Sequence, residues 1–142
     1  MKKRWAAVLT VPVLSLALAA SAMADNTAVS IQKYASRNAT HRIVYVKATV
    51  VCSEDTTSAA LSVTVQQTNP AGNTQQATGS VLSVGAFDCS GDEETIMIPV
   101  HRPTGGFAWR TGPAAARNLV FITQDPSGTF VSTLKGRTIT VR

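Results

Sequence analysis

The chain has 142 residues, 44% of them hydrophobic, and carries 13 Lys and Arg against 8 Asp and Glu. Three of those basic residues, Lys2, Lys3 and Arg4, precede an apolar run from Trp5 to Ala19 and a small-x-small site at Ala22-Met-Ala24, so residues 1–24 read as a cleaved signal peptide. Residues 25–142 then form one domain, with ten basic and eight acidic residues, a balance that gives no reason to expect nucleic acid or an anionic bilayer as partner.

The apolar run falls short of the ~20 residues of a transmembrane span, and no stop-transfer segment follows it. The expected destination is secretion, extracellular or associated with the cell envelope of a bacterium, with no membrane span after cleavage.

In chain order the rest reads as strands. Ala28–Tyr34 alternates loosely, as a first edge strand. Arg42–Cys52 is clearer, with Val44, Val46, Ala48, Val50 and Cys52 on one face at period two. After the polar break Ser53–Ser58, residues Ala59–Thr68 alternate with Leu61, Val63 and Val65 inward. Asn69–Asn73 is a turn cluster. Thr74–Val84 reads as a polar, exposed strand broken at Gly79, and Val84–Cys89 as the end of a strand. Ser90-Gly91-Asp92 carries turn chemistry. In Glu94–Val100, Ile96, Ile98 and Val100 alternate, and Pro99, which has no N–H to donate, predicts an edge strand or a bulge.

Arg102–Gly106 is a loop and Thr111–Pro113 a bend. Ala114–Gln124 mixes helix-favouring alanines with the β-branched and aromatic run Leu119–Thr123, and is read as a strand. Asp125–Gly128 is a turn between that strand and Thr129–Leu134, and Gly136–Arg142 closes the chain. The sum is an all-β fold, an antiparallel immunoglobulin-like sandwich of about 7–9 strands with one disulfide. Its cysteines, Cys52 and Cys89, are the only two in the chain and pair in an oxidising compartment. In the chain-entropy view, closing a loop of that length stabilises by ~4 kcal/mol.

The pattern of Val50-Val-Cys52, Ala60-Leu-Ser-Val-Thr-Val-Gln66, Gly79, Phe87-Asp-Cys-Ser-Gly91, Gly112-Pro-Ala114 and the terminal Arg-x-Ile-x-Val resembles the small secreted immunoglobulin-like β-sandwiches of actinobacteria. It covers about residues 44–142 and implies the fold. No position in it carries a chemical role, so it implies no site.

Three constellations carry candidate chemistry. Asp88, Asp92, Glu93 and Glu94 offer oxygens to calcium but lack the order of a loop that wraps an ion, and they read as a polar turn beside an apolar strand; no metal or cofactor is expected. His41 and His101 stand in polar strand flanks, without a catalytic serine motif, so no catalytic residue is assigned. Phe107, Trp109 and Arg110 form a possible binding patch, weighed against a role for Phe107 and Trp109 as core plugs.

The expected function is that of a non-enzymatic, monomeric β-sandwich acting as a binding or envelope-associated structural module. It would recognise a protein or carbohydrate surface through the loops around Arg102–Pro113. The alternative is a small-molecule carrier holding an apolar ligand between its sheets, and a secreted hydrolase comes last.

Overall fold

A computed structural model describes residues 26–142, so the leader expected over 1–24 lies outside the described residues. Eight strands follow one another: β1 (Thr27–Ile31), β2 (Tyr34–Arg37), β3 (Ile43–Val51), β4 (Ser58–Thr68), β5 (Thr74–Leu82), β6 (Glu93–His101), β7 (Gly112–Asp125) and β8 (Gly128–Val141). The described residues contain no α-helix, and none of their helices is long and apolar enough to cross a membrane.

Strand β3 pairs with β6 along its whole length, from Ile43↔His101 to Val51↔Glu93. Its other edge takes β1 and β2 end to end, at Thr27↔Val51 and Arg37↔Val44. A second antiparallel set runs β5-β4-β7-β8. β2 joins the two, because its residues Tyr34 and Ala35 also pair with Thr140 and Val141 of β8, in parallel. All eight strands thus belong to one mixed sheet that folds over on itself as a sandwich-like body. The parallel pair corrects the purely antiparallel expectation. Parallel neighbours need a long crossover connection. β2 and β8 lie at opposite ends of the chain, so the whole domain serves as that crossover and no helix is required.

Alternation builds the core. Val44, Val46, Ala48 and Val50 of β3 meet Leu61, Val63 and Val65 of β4, Ile98 and Val100 of β6 and Leu119 and Phe121 of β7, all within 1% of full burial. Residues 114–124 are strand, as their apolar half predicts. Cys52 and Cys89 are bonded, with Cα atoms 4.7 Å apart, and tie the exit of β3 to the approach to β6.

Two expected elements differ. Val84–Ala86 is a 3-10 turn with no buried residue rather than the end of a strand, because its single glycine and alanine bring little to bury. The separate strands expected over 129–134 and 136–142 are one, since Gly136, at φ 107, continues the pairing with Arg117. β6 is an edge strand, as Pro99 requires: it pairs only with β3. Across its open edge it meets β5, where Gly79 lets the Pro99 backbone come close. A Cβ on Gly79 would overlap the Pro99 carbonyl oxygen and lie 2.8 Å from Val100 Cγ2.

Candidate functional site

The registers place the connections at two opposite ends of the sandwich. The β2–β3 turn, the β4–β5 turn, the β6–β7 loop and the chain terminus share one end, where β3 starts at Ile43 opposite His101. The β3–β4 loop, the β5–β6 connection and the β7–β8 hairpin share the other, where β3 finishes at Val51 opposite Glu93.

Charge follows this division. The first end holds Arg37, Arg42, Arg102, Arg110 and Arg142 with both histidines, His41 and His101. Every acidic residue described, namely Glu54, Asp55, Asp88, Asp92, Glu93, Glu94 and Asp125, lies at the second. The remaining basic residues, Lys33, Lys47, Arg117, Lys135 and Arg137, lie along the body between the ends.

The arginine end is held by its own backbone. In the β2–β3 turn, Asn38 N donates to Ile43 O and His41 N to Asn38 O, while Asn38 Oδ1 accepts from Arg42 N and Ile43 N. This fixes His41 in the left-handed region at φ 55, which non-glycine residues seldom occupy. His41 O in turn accepts from Trp109 N at 2.9 Å, coupling the turn to the β6–β7 loop. Arg37 donates from a terminal nitrogen to Trp109 O at 2.9 Å.

Two buried glutamines hold the other side of that loop. Gln67 and Gln75 face each other across β4 and β5. Gln67 Nε2 donates to Arg110 O at 2.8 Å and its Oε1 accepts from Arg110 N at 2.9 Å, as a neighbouring strand would. Gln75 Nε2 donates to Phe107 O at 3.0 Å. Both are polar residues that nothing else in the sequence singles out. The signal was their parity: each continues the inward series of its strand, Leu61, Val63 and Val65 in the case of Gln67.

Of the three residues singled out from the sequence, Trp109 is fully buried in the core, Phe107 is partly buried and Arg110 is exposed. The loop therefore presents no open tryptophan platform; the indole anchors it and Arg110 is its outward-facing group. Around it lies a solvent-open depression of about 320 Å³ lined by Arg37, His41, Asn69, Phe107, Arg110 and Thr111, with Ala108 and Trp109. None of these residues is acidic. Such a lining of cations and hydrogen-bond donors suits an anion with several acceptor oxygens.

A second open depression, about 470 Å³, lies between β1 and β8 and is lined by Ser30, Ile31, Leu134, Lys135, Gly136 and Arg137. At the acidic end, Cys52, Cys89 and Glu94 cluster within 4.8 Å, but both sulfurs are held in the disulfide and are not ligands. Glu94 Oε2 is engaged by the backbone N–H of Asp88 at 2.6 Å. His41 and His101 are both exposed and stand at the end that contains no described carboxylate side chain.

Compared with known proteins, the chain matches no family, no curated protein and no solved structure.

Proposed function

We propose that the chain is an exported, non-enzymatic recognition module with an immunoglobulin-like sandwich fold, whose arginine end holds a carboxylate-rich surface of a protein or carbohydrate. The observation that carries this reading is the segregation of charge. Five arginines and two histidines share one end, and no described acid shares it. Arginine suits the role because its planar fork binds carboxylates in bidentate fashion. The pinned turn and loop support it too, since a preorganised surface loses little entropy on binding.

The fold reading draws support from the pairing. β1, β3 and β6 group apart from β8, β7, β4 and β5, and β2 pairs with both groups, through β3 and β8. The disulfide fits an oxidising, extracellular setting.

The other readings have less behind them. A carrier of apolar ligands calls for an apolar cavity of at least ~300 Å³ between the sheets, whereas both depressions are open and carry arginine or lysine on their walls. A hydrolase calls for a histidine beside a carboxylate or serine in a cleft. The two histidines stand exposed at the acid-free end.

The test is binding of the exported chain to an immobilised carboxylated polysaccharide across a salt series. The reading predicts retention that declines steadily as ionic strength rises. No retention at ~0.01 M salt, where the Debye length is ~30 Å, contradicts it.

A further inference from the structure

The chain carries a carboxylate-rich surface of its own. Glu54, Asp55, Asp88, Asp92 and Glu93 are all exposed at the end opposite the arginines. We infer that a second copy of this chain is a partner of the arginine end: the acidic end of one molecule docks on the arginine end of the next. The inference rests on the reading of the arginine end as a recognition surface, and it departs from the monomer expected from the sequence.

Separation is the first argument. Strand β7 alone spans 14 residues from one end to the other, roughly 40 Å at ~3.3 Å per residue. That is about four Debye lengths at 0.1 M salt. The two charged ends therefore do not neutralise each other within a molecule. Each finds its counter-charge only in ions or in another molecule.

Complementarity is the second. Five exposed carboxylates face five arginines, three of which, Arg42, Arg110 and Arg142, are exposed. The exported chain has nearly balanced charge overall, so two molecules aligned end to end attract without a large net repulsion.

Order is the third. Both surfaces are built before contact. Arg110 is clamped at N and O by Gln67, and the β2–β3 turn by Asn38. At the other end, Asn26 bridges Ser53 N and Thr123 Oγ1 at 2.7 Å each, fixing the loop that carries Glu54 and Asp55.

The contact joins two different surfaces, so it is heterologous and leaves each dimer with one free end of either kind. Growth beyond the dimer, into a chain or a ring, follows, and this geometry sets the test. Arg42→Glu/Arg110→Glu reverses two charges of the arginine end and leaves the acidic end unchanged. Asp92→Lys/Glu93→Lys does the reverse. All four side chains are exposed and none makes a side-chain hydrogen bond to another described side chain, and circular dichroism checks that both variants fold.

Sedimentation velocity then reads the outcome. Wild type is expected to form concentration-dependent oligomers at ~0.01 M salt, with apparent association weakened at least tenfold by ~0.5 M, where screening shortens to a few ångströms. Each variant alone is expected to remain monomeric. Their equimolar mixture is expected to recover association, because the intact acidic end of the first variant meets the intact arginine end of the second. Monomeric wild type at low salt overturns the inference, and so does association that survives Asp92→Lys/Glu93→Lys. Should the monomer still bind the carboxylated polysaccharide through Arg42 and Arg110, the recognition reading stands without this partner. If it binds neither, both fall.

Discussion

Gln67 is a glutamine at a position where the period-two pattern of β4 calls for an apolar side chain, and it is buried. Its amide makes two bonds to the Arg110 backbone, which gives the loop a partner that no strand supplies. Gln67→Ala is therefore expected to cost about 1–3 kcal/mol, the scale of leaving buried polar groups unpaired. It is also expected to loosen the cover over Trp109, the one tryptophan among the described residues. A lower urea midpoint together with red-shifted indole emission checks both. Unchanged emission means that the glutamine does not hold the loop.

At the opposite end, Asp125 Oδ1 accepts from Ser127 Oγ at 2.6 Å, Ser127 N at 2.7 Å and Gly128 N at 3.1 Å. Chiefly the serine hydroxyl holds this carboxyl below the ordinary aspartate range, against the opposing effect of desolvation, and the two backbone N–H groups add smaller effects in the lowering direction. A folded-state value below the unfolded one means stabilisation that is present above the unfolded value, so at neutral pH, and lost as pH falls through the folded value. Ser127→Ala is expected to raise the Asp125 value towards the ordinary one, read by carboxyl-carbon NMR titration. An unmoved titration would show that the hydroxyl is not the cause.

At the scale of elements, most of the fold was legible because burial in a two-layer β fold writes itself at period two. Val44–Cys52, Leu61–Val65 and Ile96–Val100 announce their inward faces, and the cysteine pair confirms which strands lie close. The parallel contact of β2 with β8 was not legible. It involves two residues on each strand at opposite ends of the chain, and nothing local in Tyr34-Ala35 or Thr140-Val141 records it. Gly136 looked like a strand break and instead sits within β8 at positive φ, opposite Arg117 and beside Asn118, itself at φ 51. β7 gains one residue there relative to β4, between Ser62 and Thr64. Such a bulge depends on the neighbour's register, which the strand's own residues do not show.

Gly79 carries an element-scale prediction. Alanine is better suited than glycine to an open strand position, so Gly79→Ala would stabilise if β5 faced solvent there. It faces the Pro99 backbone, which cannot give way as a flexible side chain would. The expected result is destabilisation of about 1–3 kcal/mol, seen as a lower urea midpoint at unchanged m-value. A raised midpoint would place β5 and β6 further apart than described.

At the scale of the whole molecule, the feature that matters most was the least visible beforehand. Among the described residues the acidic ones occur in three separate segments, 54–55, 88–94 and 125, and the arginines of the site in four, at 37–42, 102, 110 and 142. Composition gives only ten basic against seven acidic residues over 26–142, with no sign of the division. Only the strand order, which sends β3, β4, β6 and β7 back and forth between two ends, sorts the acids to one end and leaves the arginines and histidines at the other. Trp109 shows the same limit at a single position: its neighbours in sequence suggested an aromatic surface, whereas the loop's path turns the indole inward and leaves Arg110 outside.

Under the proposed function, position rather than net charge makes the arginine end a recognition surface. Two variants with the same change in charge separate these possibilities: Arg42→Glu/Arg110→Glu at the end, and Arg117→Glu/Lys135→Glu on the body, all four residues being exposed. Affinity for a carboxylated polysaccharide at ~0.1 M salt, where charges more than ~10 Å apart are largely screened, is the measurement. The expected loss is at least about tenfold for the first variant and less than about threefold for the second, the first corresponding to about 1.4 kcal/mol or more. Equal losses in both would contradict it.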